Sequence, residues 1–440
     1  MDLITRYDRA LILSYLRDPA DIVRARGVCR EWRALVAEPQ IDGTPLSRTI
    51  TKVANHILYL ACEANYLSLA KYAIARGATN INDCLIIADK NNHTDLAKFM
   101  IECGANSWQR MHRAFYYNNR ELIDLVYANS KEPLPEWLYN ACEGGHIELV
   151  RELEVYSADW WEVAFYYACL GGHMEMINML IAEHTPTKWG NGLQGACEGG
   201  HFEIARMLIA RGSNNFNLAL YHACLFGSVE IAEYLISLGA RSFDLSLDAA
   251  SINGNVELVK LLIKHGSTNY ANAFNNACLC AHVELARLLL PNMNVSALSN
   301  GFVSACKSGS FEIVRMIYSR IPDNFYTYAN QGLRSTNKDI VNFAIEHGAD
   351  NWEGALLFAC STGDPEYAKL ALKNGAVGVN GGLQNASCEG CRELVDLMLE
   401  HGATHINLAI YNARMSGYDA IAEYLIARYK HDIVVCLVGE

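Results

Sequence analysis

The sequence predicts an all-α protein, a solenoid of about 14 short helix pairs that follows a small helical domain. An alanine followed by a second small residue recurs at intervals of about 27 residues. Glycine often lies four residues after this alanine, and apolar residues at helical spacing come next. A second glycine often lies 16 residues after the alanine. A fixed period of this length is typical of stacked repeats.

The first 40 residues do not follow the repeat and predict a separate small helical domain. Apolar residues recur at helical spacing between positions 11 and 36, and Asp18 precedes Pro19. Proline is tolerated in the first turn of a helix, so this dipeptide suits a helix start. We assign residues 1–40 to this domain and residues 41–54 to a linker.

The repeats occupy residues 55–430, and residues 431–440 form a tail. The recurring residue, called the marker here, is Ala61, Ala88, Ala114, Ala141, Ala168, Ala196, Ala223, Ala250, Ala277, Ala305, Gly332, Ala359, Ala386 and Ala413. One step between markers is 26 residues, two are 28, and the others are 27. Each repeat predicts a short helix, a tight turn, a longer helix and a brief link.

Polar residues six positions before the marker are of the kind that caps a helix N-terminus. We predict this role for Asn55, Asn82, Asn217, Asp244, Asn380 and Asn407. The link that follows the second glycine has only about five residues, as in GSNNF at 212–216. Two real strands do not fit into so short a segment, so any hairpin is reduced.

Two regions depart from the pattern. KEPLPEW at 131–137 replaces the second glycine of the Ala114 repeat. Pro291 and Pro322 interrupt the region 291–330, and a bend or a loosened interface is expected there.

The hexapeptide ACEGGH, at 141–146 and again at 196–201, places a cysteine four residues before a histidine. Such a pair can bind zinc, but four ligands must converge on the ion, whereas successive repeats lie in a column. We therefore expect packing and turn formation from these residues, with no metal or cofactor. Zinc binding stays as a third hypothesis.

Composition excludes several classes of function. A net charge of −12 argues against binding to nucleic acid, and no apolar run is long enough to span a membrane. The charged N-terminus is not a signal peptide, and the 15 cysteines suit a reducing compartment, the cytoplasm or the nucleus. Catalytic motifs are absent, so the chain is not expected to be an enzyme.

The repeat signature resembles the ankyrin repeat over roughly residues 55–430. Good matches are ACEGGHFEIARMLIARGS at 196–213 and ACLFGSVEIAEYLISLGA at 223–240. The resemblance implies that the target-binding face consists of residues just before the marker and two or three after it. Those residues are Tyr116, Tyr117, Tyr139, Glu143, Tyr166, Tyr167, Leu170, Tyr221, His222, Leu225 and Phe226. Tyrosine is favoured at interface hot spots, and alternatively these rings are buried between repeats.

The N-terminal domain resembles an F-box through ILSYL and DPADIVRARGVCREWRALV, although Ile4-Thr5 stand where the family usually has Leu-Pro. This resemblance implies binding to a Skp adaptor and, through it, to a cullin and a RING ligase. By position, the adaptor-facing residues are Ile4, Leu11, Ile12, Tyr15, Leu16, Pro19 and Ile22. The alternative is a pair of capping helices for the end of the solenoid.

An F-box followed by short ankyrin repeats is similar to proteins of amoeba-infecting giant viruses, which implies a host ligase and the host cytoplasm. The expected function is substrate recognition within a Skp–cullin–F-box ubiquitin ligase. The alternative is a scaffold or inhibitor that sequesters its partner and recruits no ligase.

Overall fold

A computed structural model describes residues 46–130, 134–153, 160–184, 188–321 and 326–429 of the chain. The adaptor-facing residues predicted between positions 4 and 22 lie outside this part. The described residues contain α-helices, two short 3-10 helices and no strand, which confirms the all-α prediction with reduced hairpins. The chain divides into two units, Met1–Ala240 and Arg241–Glu440.

The first unit contains seven described helix pairs. Its helices are α1 (Leu46–Glu63), α2 (Leu67–Ala75), α3 (Ile81–Lys90), α4 (Thr94–Glu102), α5 (Arg113–Tyr116), α6 (Arg120–Asn129), α7 (Pro135–Gly144), α8 (Ile147–Leu153), α9 (Trp161–Gly171), α10 (Met174–His184), α11 (Trp189–Gly199), α12 (Phe202–Ala210), α13 (Phe216–Phe226) and α14 (Val229–Ser237). Within this unit, each odd-numbered helix packs against its even-numbered partner, and successive odd-numbered helices from α1 to α13 pack against one another.

The second unit contains seven further pairs. Its helices are α15 (Phe243–Asn253), α16 (Val256–Lys264), α17 (Tyr270–Leu279), α18 (Val283–Leu289), α19 (Val295–Ser308), α20 (Phe311–Tyr318), α21 (Tyr326–Gly332), α22 (Lys338–Glu346), α23 (Trp352–Thr362), α24 (Pro365–Lys373), α25 (Val379–Cys388), α26 (Arg392–Glu400), α27 (Ile406–Met415) and α28 (Asp419–Arg428). Every odd-numbered helix of both units therefore contains one marker, as the period predicts.

The marker residues are buried where neighbouring helices pack together. All marker alanines from Ala61 to Ala413 are fully buried. Gly332, the exception in the series, has no room for a side chain, because a Cβ atom there would lie 2.7 Å from the Cβ atom of Ala344. The small side chains thus allow close packing of the helices, in agreement with the sequence prediction.

The glycines after the markers end the first helices as predicted. Gly145, Gly172, Gly200 and Gly227 all have a left-handed backbone with φ between 75° and 88°. This conformation costs glycine little, and it satisfies the carbonyl groups at the end of a helix. Asparagine, the other residue that tolerates it, takes the equivalent place in the first three pairs, as at Asn92 with φ 56°.

The prediction that the residues six positions before the marker are N-caps is wrong. Asn55 lies inside α1, whereas Asn82, Asn217, Asp244, Asn380 and Asn407 are each the second residue of their helix. Each of these five helices begins two residues earlier than predicted, so the side chain is not placed to accept from its own first turn.

These side chains instead bond to the link of the following pair. Asn82 Oδ1 accepts the backbone N–H groups of Asn106 and Ser107 at 2.8 and 3.2 Å. In the same way, Asp244 and Asn380 each accept a backbone N–H group from the link before the next first helix. The donors are Thr268 (2.8 Å) and Thr404 (2.7 Å).

The irregular regions have altered helices. α5 has only four residues and follows the 3-10 helix Trp108–Arg110. In the second unit, Pro291 lies in the 3-10 helix Leu290–Asn292, immediately after α18. α19 follows with 14 residues, the longest described helix of that unit.

Candidate protein-binding face

Each histidine five residues after a marker bonds to the preceding pair. A ring nitrogen lies near a backbone carbonyl oxygen in every case: His93–Cys62 (2.8 Å), His146–Tyr116 (2.7 Å), His173–Glu143 (2.9 Å), His201–Leu170 (3.0 Å) and His282–Ile252 (2.9 Å). A carbonyl oxygen only accepts, so the ring nitrogen donates. These carbonyl groups lie near the end of the preceding first helix, where they lack a partner within the helix. The histidines therefore join successive pairs.

The two glycines before such a histidine make room for the same contact. A Cβ atom on Gly171 would lie 2.1 Å from the carbonyl oxygen of Glu143, which His173 binds. A Cβ atom on Gly172 would lie 2.3 Å from the His201 ring of the next pair. The Gly-Gly-His sequence is thus explained by close packing of neighbouring pairs.

The cysteines that follow the markers are buried between the helices. Cys142 and Cys169 have no exposed surface, and burial raises the pKa of both thiols. A high pKa keeps a thiol protonated, whereas zinc binds the thiolate. Among the described residues, no three histidine, cysteine or acidic side chains come together as a metal site.

The predicted target-binding residues lie on four described helices of the first unit or, for Tyr117, directly after one of them. Tyr116 ends α5, and Tyr117 follows it. The others lie on α7 (Tyr139, Glu143), α9 (Tyr166, Tyr167, Leu170) and α13 (Tyr221, His222, Leu225, Phe226). Most are half-buried, while Tyr117 and Phe226 are exposed to 39% and 51%. The set thus presents partly exposed rings and carboxylates to its surroundings.

The tyrosines of α7 and α9 pack on one another. The rings of Tyr139 and Tyr167 are stacked with centroids 5.3 Å apart, and the Tyr166 ring is perpendicular to Tyr167 at 5.1 Å. Burial raises the pKa of all three hydroxyl groups. The rings therefore pack across the boundary between pairs while keeping part of their surface exposed.

Glu198 on α11 connects three first helices. Its carboxylate accepts hydrogen bonds from the Tyr166 hydroxyl at 2.5 Å and from the Gln194 amide at 2.8 Å. The Nδ1 atom of His222 lies 2.9 Å from the same carboxylate. Burial lowers the pKa of His222, so its ring is neutral at neutral pH. This network holds the side chains of α9, α11 and α13 in fixed positions.

Arg113 is the cation nearest to the tyrosines. Its guanidinium group lies over the Tyr116 ring at 4.0 Å from the centroid and 3.8 Å from the Glu143 carboxylate. Arg113, Gln194 and Glu198 were not predicted. Arg113 lies one residue before the marker Ala114, and Gln194 and Glu198 lie two residues before and after the marker Ala196. The signal that would have found them was the same positional rule, applied to every repeat.

None of the described helices is both long and apolar enough to cross a membrane. The face described above consists of side chains held by neighbouring helices, and its chemistry is that of hydrogen bonding, ring packing and charge. Such a surface can hold another protein segment.

Comparisons with known proteins find both predicted domain types. A family model of ankyrin repeats, in three copies, matches residues 165–244, and an F-box-like model matches residues 10–41. A search of the curated proteins finds no match. Among solved structures, the crystal structure of the human ASB11 ankyrin repeat domain is similar at 24% identity, with a TM-score of 0.27. That alignment covers 36% of this chain and 83% of the other. The chain thus contains an F-box-like segment and ankyrin repeats, modules of protein–protein interaction that are typically not catalytic.

Proposed function

We propose that this chain, with an F-box-like segment ahead of ankyrin repeats, is the substrate-recognition subunit of a Skp–cullin–F-box ubiquitin ligase. The observation that carries the proposal is the presence of both modules in one chain, at residues 10–41 and 165–244. The F-box-like segment would bind the adaptor, and the repeats would bind the target. No catalytic group is needed from the chain itself.

The contribution of the chain to ubiquitin transfer would be proximity. Holding two reactants close together makes their reaction effectively unimolecular. The bonds between pairs, such as that of His201 to Leu170, support this role because they join neighbouring pairs of the first unit. The target would thereby be presented by a stiff surface.

The adaptor would be bound by Ile4, Leu11, Ile12, Tyr15, Leu16, Pro19 and Ile22, with Val28, Cys29, Trp32 and Leu35 forming the core of the F-box. The family match begins at residue 10, so all of these except Ile4 lie inside it. The target would be bound by the predicted face between Tyr116 and Phe226. Both assignments are parts of the proposal.

Co-purification with a Skp adaptor tests the ligase role. The intact chain is expected to retain the adaptor, whereas a chain without residues 1–40 is not. In the intact chain, Leu16→Asp is expected to abolish binding, because it places a charge in an apolar contact. Val377→Asp is the matched control, since Val377 is 77% exposed and lies in the repeats. Equal recovery of the adaptor with all four proteins would refute the ligase role.

A scaffold or inhibitor without a ligase is the second candidate. It is favoured by one observation, the Ile4-Thr5 sequence in place of the family's Leu-Pro. In that case the target is captured by the repeats while the adaptor is never retained, and the half-life of the target in cells does not depend on residues 1–40.

The host setting is the last part of the proposal. The resemblance to proteins of amoeba-infecting giant viruses supports a role in the host cytoplasm, where the chain would redirect a host cullin–RING ligase. Proximity labelling in expressing amoeba cells tests this part. Enrichment of host cullin and adaptor by the intact chain, and not by Leu16→Asp, is the expected result.

A further inference from the structure

The first helices α7, α9 and α11 carry negative charge and no positive charge, and α13 contains no aspartate, glutamate, lysine or arginine. Between them they contain four glutamates, Glu136, Glu143, Glu162 and Glu198, but neither lysine nor arginine. On the second helices of the same pairs, Arg151 on α8 and Arg206 on α12 accompany several glutamates, whereas α10 and α14 contain glutamates but neither lysine nor arginine. Negative charge is therefore common to both sets of helices, and the feature that distinguishes this surface is the tyrosine stack next to Glu136 and Glu143 on α7.

Three of these glutamates act electrostatically on the stacked tyrosines. Burial is the largest cause of the raised pKa of Tyr167. The negative charges of Glu143, Glu136 and Glu198 raise it further, in decreasing order. Glu136 likewise acts on Tyr139. All three carboxylates thus act on Tyr167, whose ring lies 5.3 Å from that of Tyr139.

The charge at this place is only partly compensated within the chain. Glu198 accepts from Tyr166 and Gln194, whereas the ion pair of Glu143 with Arg113 is long at 3.8 Å. Glu136 forms no ion pair with any described residue. Since burial keeps His222 neutral, the surface around Tyr139 and Tyr167 has a net negative charge.

Arg113 shows what a cation does on this surface. Its guanidinium group lies on the Tyr116 ring and beside Glu143, so it contacts an aromatic face and a carboxylate together. A positive charge over a tyrosine ring is attracted by the electrons of the ring, and more strongly when water is excluded. The stacked pair Tyr139–Tyr167 offers the same combination one repeat onward.

We infer that the Tyr139–Tyr167 stack, bordered by Glu136 and Glu143, binds an arginine or lysine side chain from a basic segment of the target protein. The inference rests on the proposed function in one respect, namely that this face is where the target binds. The cation lies over the rings, and its N–H groups donate to the glutamates. Charge complementarity selects a basic segment over an acidic or an apolar one.

A binding measurement with the full chain tests this. Fluorescence anisotropy follows the binding of a labelled peptide of alternating arginine and glycine, compared with a glutamate–glycine peptide. The double variant Glu136→Gln/Glu143→Gln is expected to weaken binding of the arginine peptide by about tenfold. The matched control is Glu148→Gln/Glu175→Gln, which removes the same charge from exposed positions on the second helices α8 and α10.

The control decides between a site and general attraction to an acidic protein. Equal weakening in both double variants, or none in either, would overturn the proposal. Replacement of one ring adds a second test: Tyr167→Phe keeps the aromatic face and is expected to bind normally, whereas Tyr167→Leu is expected to bind weakly. Equal affinity of the two would exclude a contact between cation and ring. Thermal melts establish that each variant is folded.

The outcome is independent of the ligase role. Co-purification with the adaptor depends on residues 1–40, and the peptide measurement depends on α7 and α9. Failure of the first leaves the basic-segment site standing, whereas failure of the second leaves the adaptor function standing.

Discussion

The Oδ1 atom of Asn82 accepts the backbone N–H of Asn106 at 2.8 Å, although 24 residues separate them. The same oxygen also accepts the N–H of Ser107. The side chain thus holds the link that precedes the next first helix. This bond replaces the hairpin contacts that longer repeats can use, because the described links contain no strand.

Removal of this acceptor is expected to destabilise the protein. Asn82→Ala leaves two backbone N–H groups without their partner and lowers the free energy of unfolding by about 1 kcal/mol. Asn82→Asp keeps the acceptor and is expected to cost less. Urea denaturation measures both, with the exposed Asn214→Ala as control. A loss of stability in the control as large as that of Asn82→Ala would contradict the role of this bond.

Two glycines of α11 are expected to respond oppositely to the same substitution. A Cβ atom on Gly199 would lie 2.2 Å from the carbonyl oxygen of Leu170, whereas nothing lies within 4 Å of one on Gly190. Gly199→Ala is therefore expected to lower stability by about 1–3 kcal/mol. Gly190→Ala is expected to be neutral or to stabilise by up to about 1 kcal/mol, because alanine favours the helix. Similar melting temperatures for the two variants would argue against close packing at Gly199.

Asp89 is expected to make stability depend on pH. It is a fully buried carboxyl group that accepts the backbone N–H groups of Arg113 and Ala114, and burial raises its pKa from 3.8 to about 6. The folded protein therefore binds the proton more tightly than the unfolded chain. Stability from this group is full below about pH 4 and falls as the pH rises through 6, by about 3 kcal/mol in all.

The difference between the wild type and Asp89→Asn isolates that contribution. Denaturation at a series of pH values is expected to show a downward slope between pH 4 and 6 that the variant lacks. The exposed Asp124→Asn serves as the charge-matched control and is expected to retain the slope. Parallel curves for wild type and Asp89→Asn would show that Asp89 is not responsible.

Cysteine labelling is expected to follow burial. Cys280 is exposed, whereas Cys142 and Cys169 are buried with a raised pKa. In the folded protein iodoacetamide should modify Cys280 first, and the other two only after denaturation, because the thiolate is the reactive form. Mass spectrometry of the peptides reports the order. Early modification of Cys142 would mean that the helices around it open.

The period of the markers was sufficient to predict the number of helix pairs, the turns and the stacking, but the predicted order of a short and then a longer helix was wrong, because the first helix is the longer one in most described pairs. A small residue every 27 positions leaves few alternatives to stacked pairs, and the structure has one helix pair for each marker. The role of Asn82 was not predictable in the same way. An asparagine at this position suits an N-cap. Only the structure, in which the helix already begins at Ile81, shows that the Asn82 side chain bonds to the next repeat.

The candidate face was predicted in position but not in its interactions. The spacing places Tyr139 and Tyr167 near the same surface, but it does not show that their rings stack. The bonds of Glu198 to Tyr166 and Gln194 depend on side-chain conformations that no spacing determines. The position of a residue relative to the marker thus identifies candidates for the face, and the structure shows which of their side chains interact.

Each of the histidines that join successive pairs bonds only to the helix pair immediately before its own, so the bond does not depend on how many pairs the chain contains. If the segment from 169 to 196 were deleted, His201 would meet the carbonyl of the pair before, at the place that His173 now occupies. The new junction would keep this bond, because His201 would take the place of His173. Gain or loss of a whole period in this part of the first unit therefore lengthens or shortens the surface while the histidine bond between neighbouring pairs is kept.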